Sequence, residues 1–135
     1  MVGSSESVPA QPLICIVDDD CPVRTALGNL LHSAGYAAAV FESAEALLAS
    51  GLTGAIDCAV LDVKLGGMNG YALHQQLLAL RPGMPVVFIS GHGDDAMEQR
   101  ALLAGAIAFL RKPIDVDALL ACIHGALAGG GGAGR

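Results

Sequence analysis

Five short apolar runs punctuate the chain: LICIV at 13–17, AAAVF at 37–41, CAVLD at 58–62, PVVFIS at 85–90 and IAFL at 107–110. The first, third and fourth are near-continuously apolar rather than alternating, the pattern of parallel strands covered on both faces. Between the runs the apolar spacing lengthens to three and four. Val23, Ala26, Leu27, Leu30, Leu31 and Ala34 predict a helix, with Pro22 in its first turn and Gly35 to close it. Ser43 can cap a short helix over 44–50. Leu73, Leu77 and Leu80 predict one stripe of a helix over 70–80. A helix from about 94 to 103 opens on acids, as the macrodipole prefers. The last helix spans roughly 115–127, with Val116, Leu120, Ile123 and Leu127 facing in.

Strands and helices therefore alternate five times with short connections. That order predicts an α/β fold: a doubly wound, five-stranded parallel sheet with right-handed crossovers and five helices on its two faces. One domain is expected over 13–128. Residues 1–12 read as a flexible leader, and the Gly-rich 129–135 as a flexible tail or linker stub.

In such sheets ligands bind beyond the carboxyl ends of the strands. Asp18, Asp19 and Asp20 follow the first strand, Asp62 ends the third, Ser90 ends the fourth, and Lys112 follows the fifth. Neighbouring carboxylates repel, so the acidic run costs folding free energy unless a cation offsets it. Several carboxylates with open coordination suit a hard divalent ion such as Mg2+. A carboxylate can also act as a nucleophile toward phosphorus, given a metal and a cation to neutralise phosphoryl oxygens and a donor to fix another. Asp62, Mg2+, Lys112 and Ser90 supply those roles. Alone, each residue has a plainer reading: Asp20 as a helix cap, Asp62 as a turn residue, Lys112 as a solvated lysine before a proline, Phe109 as core. The set together points to the site.

Composition narrows the function. The net charge of −6 argues against a nucleic-acid surface and suits a cation or a basic partner. The cysteines Cys15, Cys21, Cys58 and Cys122 form no CxxC pair, and three lie in apolar runs, which fits reduced, buried thiols in a cytosol. His32, His74 and His124 look like surface or boundary helix residues. No apolar run approaches the ~20 residues of a membrane span, and the N-terminus lacks an apolar signal core, so a cytoplasmic location is expected.

The ordered set "VDDD", "LD", "IS" and "KP" on this βα pattern resembles the receiver domain of two-component response regulators, over about 13–127. "SGHGD" and "GAIAFLRKP" bring it nearest to receivers of nitrogen-fixation and nitrate-response type regulators. The resemblance implies a flavodoxin-like strand order 2-1-3-4-5. It implies Asp62 as phosphoacceptor, with Asp18, Asp19, Asp62 and the Lys64 backbone carbonyl as Mg2+ ligands. Ser90, Lys112 and Phe109 match the switch and phosphate-binding positions, with Phe109 turning inward on activation. Lys64 and His92 stand where the family modulates dephosphorylation, and Lys112-Pro113 where it has a cis peptide. The implied partners are a histidine kinase or phosphotransfer protein upstream, and downstream a protein, a missing output domain or a phosphorylation-dependent homodimer. No nucleic-acid contact and no membrane contact are expected of this domain. The implied switching face is helix 4, strand 5 and helix 5, and the chemistry is self-phosphorylation and self-dephosphorylation only. In the loop "DVKLGGMNG", Gly66 replaces a frequent Pro and Asn69 a frequent Asp, and Gly for Pro loosens the chain there.

The chain also reads as the receiver of a longer DNA-binding regulator or hybrid kinase. Two other classes are weighed. A small Mg-dependent aspartyl phosphatase would need an acid two residues after Asp62, where Lys64 stands. A flavodoxin-like electron carrier would need a phosphate loop where the three acids stand, and aromatics that the Trp-free chain lacks.

Overall fold

In the computed structural model, residues 11–91 and 95–132 are described. The elements run β1 Leu13–Val17, α1 Cys21–Ser33, β2 Ala37–Phe41, α2 Ala44–Ala49, a 3-10 turn at Thr53–Ala55, β3 Cys58–Asp62, α3 Gly70–Leu80, β4 Val86–Ser90, α4 Asp95–Leu103, β5 Ala108–Arg111 and α5 Val116–Gly132. All strand pairs are parallel, in the order β2-β1-β3-β4-β5. The expected fold is therefore the observed one.

The central strands bury both faces. Ile14, Ile16, Val60, Val87 and Ile89 pack with Leu27 and Leu31 of α1 and Leu119 and Ile123 of α5. The alternate positions Cys15, Val17, Leu61 and Phe88 face Leu47 of α2, Leu73 and Leu77 of α3, and Ala101 of α4. A strand whose successive side chains enter opposite cores must be apolar throughout, which is why these runs do not alternate. AAAVF becomes the edge strand β2, with Val40 45% exposed.

Local signals explain the ends. Ser43 Oγ accepts the Ala46 amide at 3.0 Å and Asn69 Oδ1 the Ala72 amide at 2.8 Å, capping α2 and α3. Gly35, with φ of 94°, carries the chain out of α1 through a conformation that costs other residues dearly. Asp20 holds the N-cap position of α1, but its side chain makes no capping bond, against expectation. The nearby polar work is done instead by Asp18 Oδ1, which accepts the Asp20 amide at 2.8 Å.

Three other expectations are corrected. Val116 is 46% exposed and Leu119 is buried in its stead, because the contact stripe of α5 is centred on Leu119 and Ile123. Leu80, at the last residue of α3, is 59% exposed because the helix ends beyond the core. α5 continues to Gly132, so 129–132 extend the helix rather than begin a tail. Glycine disfavours this by about 1 kcal/mol per residue against alanine, but the preceding turns template the backbone bonds. Residues 1–10 and 133–135 of the expected leader and tail lie outside the described residues. Pro12, inside the expected leader, accepts the Ala37 amide at 2.9 Å. No helix among the described residues is long and apolar enough to cross a membrane.

Cys15 and Cys58 are buried, Cys122 is half-buried, and Cys21 is exposed at the first residue of α1. Burial pushes the Cys15 and Cys58 thiols up to about 12.

His74 is the largest surprise of the core. It is fully buried, edge-on to Phe88 at 5.3 Å between centroids, and neither ring nitrogen has a hydrogen-bond partner among the described residues. Burial holds the ring neutral and lowers its pKa from 6.5. The unfolded chain then takes up the proton first, so this contribution to stability is intact above pH 6.5 and declines as pH falls below it. His74→Leu is expected to stabilise the fold by about 1 kcal/mol near neutrality, and by more in acid. Urea midpoints of both proteins above and below pH 6.5 check this; equal pH slopes would contradict it.

Candidate functional site at the carboxyl ends of the strands

Each central strand delivers one polar group where its buried run stops. The β1 run ends at Val17, and the chain turns sharply at Asp18, whose amide still donates to the Phe41 carbonyl of β2 at 3.1 Å. Arg24, one turn into α1, reaches back to donate to the Asp18 carbonyl at 2.7 Å. Asp18 is fully buried. With Oδ1 taken by the Asp20 amide, Oδ2 has no aligned hydrogen-bond donor among the described residues, but lies 2.9 Å from Lys112 Nζ.

Asp62 ends β3 at 5% exposure. Its Oδ1 accepts the Lys64 amide at 3.0 Å and its Oδ2 faces Lys112 Nζ at 3.2 Å. Lys112 is held by its own amide, which donates to the Ser90 carbonyl at 2.8 Å. The Lys112-Pro113 peptide is cis. Asp19 is exposed, yet Asp18, Asp19 and Asp62 each present an oxygen within 4.8 Å of the others. Asp19, Asp20, Asp62, Lys64, Gly91 and Lys112 line a cleft of about 350 Å³.

The electrostatics are unbalanced. Three carboxylates face one ammonium. Burial first, and Asp18 next to it, raise the Asp62 pKa; the Lys64 amide and Lys112 pull the other way without cancelling them. Lys112, flanked by two carboxylates, has its pKa raised despite burial. The pair thus favours the ammonium more than it favours the carboxylate, because burial, and after it the charge of Asp18, weighs against the Asp62 carboxylate. An all-oxygen donor set with excess negative charge and one buried oxygen lacking an aligned donor fits a hard divalent cation.

Of the residues expected at this site, Asp18, Asp19, Asp62, Lys64 and Lys112 come together. Ser90 lies at the adjacent strand end, 1% exposed. Phe109 is paired in register with Phe88 and is 8% exposed. His92 falls outside the described residues. Sequence reasoning missed Arg24 and Glu45, whose carboxylate accepts the Met68 amide in the loop after Asp62. The Arg24 bond spans six residues across a turn, and the Glu45 bond spans 23 residues between separate elements, so no local spacing announces either.

Residues 14–124 match the pattern of the response regulator receiver domain. The response regulator protein TodT of Pseudomonas putida is 40% identical over 115 residues, covering 85% of this chain and 51% of its own. The transcriptional regulatory protein FixJ of Bradyrhizobium diazoefficiens is 36% identical over 115 residues, 84% of this chain and 56% of its own. Among solved structures, the response regulator StyR superposes with a TM-score of 0.79 at 44% identity, over 88% of this chain and 60% of that one. The chain spans about half the length of the curated relatives it matches.

Proposed function

This chain belongs to the response regulator receiver family, whose work is phosphorylation-based signalling, and on that premise we propose that it takes a phosphoryl group from a histidine kinase or phosphotransfer protein onto Asp62. The observation that carries this reading is the Asp62 carboxylate, set in an open cleft with Lys112 Nζ 3.2 Å away and two further carboxylates within reach of one ion.

Asp18, Asp19, Asp62 and the Lys64 carbonyl would hold Mg2+. Bound there, the ion would screen the carboxylates from one another and offset charge on phosphoryl oxygens. An Asp62 oxygen attacks phosphorus; the new P–O bond forms as the P–N bond to the donor imidazole breaks, and the bond pair leaves with the imidazole. Lys112 stabilises the charge spread over the phosphoryl oxygens, moving from its two carboxylate partners toward them. Arg24 holds the Asp18 backbone in place through its carbonyl. Water attack at phosphorus later breaks the P–O bond to Asp62, releasing inorganic phosphate and returning the free carboxylate, so the only chemistry catalysed is the domain's own phosphorylation and dephosphorylation. Lys64 and His92 modulate that return.

The switch follows from charge. A dianionic group on Asp62 attracts the Ser90 hydroxyl, which draws on the end of β4 and shifts α4 against β5. The movement of Ser90 would free space behind it and let Phe109, now 8% exposed, move. The face of α4, β5 and α5 that would read this out carries Leu102 and Leu103, 43% and 88% exposed, beside an Arg111 that bridges Asp95 and Glu98 at 3.1 and 3.2 Å. Its partner is a downstream protein, an output domain or a second copy of this chain, and the setting is the cytoplasm. The half-length coverage of TodT and FixJ favours a second, compatible reading, in which the chain is the receiver part of a longer regulator.

The direct test is the intact mass after incubation with acetyl phosphate and Mg2+. One phosphoryl group is expected on the wild-type protein. Asp62→Asn and a metal-free sample should gain none. Equal labelling of Asp62→Asn would remove Asp62 from the mechanism.

A further inference from the structure

The loop between Asp62 and α3 is pinned at both ends. The Val63 amide donates to the Ile89 carbonyl at 3.0 Å and the Gly70 amide to the Val63 carbonyl at 2.9 Å. Val63 and Leu65 are buried side chains. Past them come Gly66 and Gly67, which have no side chain to anchor and the widest backbone freedom of any residue. What stops this stretch from wandering comes from another element. Glu45, in the first turn of α2, accepts the Met68 amide on Oε2 at 3.0 Å. Its carboxylate lies against residue 67: a Cβ there would sit 2.7 Å from Oε2 and 3.1 Å from both Cδ and Oε1, so a side chain at 67 would push the Glu45 carboxylate from this position. Among the described residues no cation pairs with Glu45; the loop amide of Met68 is its main partner, with its own backbone amide second. These bonds keep the Glu45 carboxyl below its ordinary pKa.

We infer that Glu45 is a positioning residue, fixing the Gly66–Met68 backbone and through it the Lys64 carbonyl four residues before Met68 in the same loop. The inference rests on the Mg2+ site proposed above and adds to it a determinant outside the strand ends. The Met68 side chain packs against the core and its Sδ accepts from Gln76 Nε2 at 3.6 Å. Among the described residues, however, Gly66 and Gly67 make no hydrogen bond of their own, so the backbone tether at Met68 has leverage over them. The carboxylate contributes geometry and touches neither metal nor phosphoryl group.

The test uses the metal-free full chain, with Glu45→Ala, Glu45→Gln and Glu45→Ala combined with Gly66→Ala. Gly66 has open space for a methyl and no positive φ, so alanine there stiffens the loop without a clash. Two readouts apply: hydrogen exchange at the Met68 amide, and Mg2+ affinity followed by amide shifts. Glu45→Ala should speed Met68 exchange and weaken Mg2+ binding by about threefold to tenfold, the span of one hydrogen bond, with an unchanged thermal midpoint. Glu45→Gln keeps an acceptor oxygen and should stay within about twofold; Gly66→Ala should recover part of the Glu45→Ala loss. Faster exchange with unchanged Mg2+ affinity would make the tether merely structural and overturn the inference, as would no change in either readout. A wild-type protein that takes up no Mg2+ would overturn the proposed function and this inference together.

Discussion

Gly70→Ala is expected to cost about 3 kcal/mol of stability and to lower acyl-phosphate yield in the fraction that still folds. A Cβ on Gly70 would overlap the Asp62 carbonyl oxygen and stand 3.0 Å from Val63 Cα and 3.1 Å from the Asp62 carbonyl carbon. All three are backbone atoms of the segment that presents the Asp62 side chain, so none can swing aside. Alanine returns only about 1 kcal/mol in helix propensity at such a position, which does not offset the clash. The start of α3 must move outward, and the Gly70 amide bond to the Val63 carbonyl lengthens with it. Urea unfolding checks the first effect, and mass after acetyl phosphate the second. A stable, fully labelled Gly70→Ala would mean that the loop absorbs the methyl freely.

Lys112→Met is expected to destabilise the metal-free protein by about 2 kcal/mol. Lys112 Nζ lies 2.9 Å from Asp18 and 3.2 Å from Asp62, whose side chains are 0% and 7% exposed. Methionine leaves two buried carboxylates facing each other. The lysine side chain is 22% exposed, so the full penalty of a dry, broken ion pair does not apply. The pH dependence has a definite sign. The Asp62 pKa is raised, so the folded state binds more protons than the unfolded one; the cost of its charge is fully present above the folded pKa and is relieved as pH falls toward 3.8. Removing Lys112 enlarges that cost, so the variant's deficit should shrink on acidification. The Lys112 pKa is raised, so its own stabilisation is present below 10.5 and is lost as pH rises through the folded value. Mg2+ should restore Lys112→Met more than it stabilises wild type, and Asp62→Asn in the Lys112→Met background should be milder than either change predicts alone. Denaturant melts of the four proteins with and without Mg2+ decide this. A deficit that is independent of both pH and Mg2+ would point to lost packing of the lysine stem instead.

The sheet was legible because its central strands enter two cores. An uninterrupted apolar run such as CAVL has few other homes, and the first polar residue after it must stand at the sheet's edge. The same logic places Asp18, Asp62, Ser90 and Lys112 at that edge. Helix phase was read less well. His74 sits one residue after Leu73 and three before Leu77, squarely in the buried stripe of α3, but the polarity of imidazole argued against the periodicity, and packing against Phe88 prevailed. In α5 the apolar residues surround most of the helix, so the pattern could not choose between Val116 and Leu119. The Glu45 and Arg24 bonds were invisible for a different reason: a side chain's reach to a distant backbone leaves no imprint on spacing.

The uneven treatment of the four thiols gives the chain a ready-made attachment point. Cys15 and Cys58 lie sealed in the two cores, with thiols that yield almost no thiolate at neutral pH. Cys21 stands in solvent beside the acidic run. A maleimide dye should therefore couple first at Cys21 in the unmodified protein, one residue from Asp20. With no tryptophan to compete as a donor or quencher, that dye would report events at the cleft in real time without any engineered cysteine.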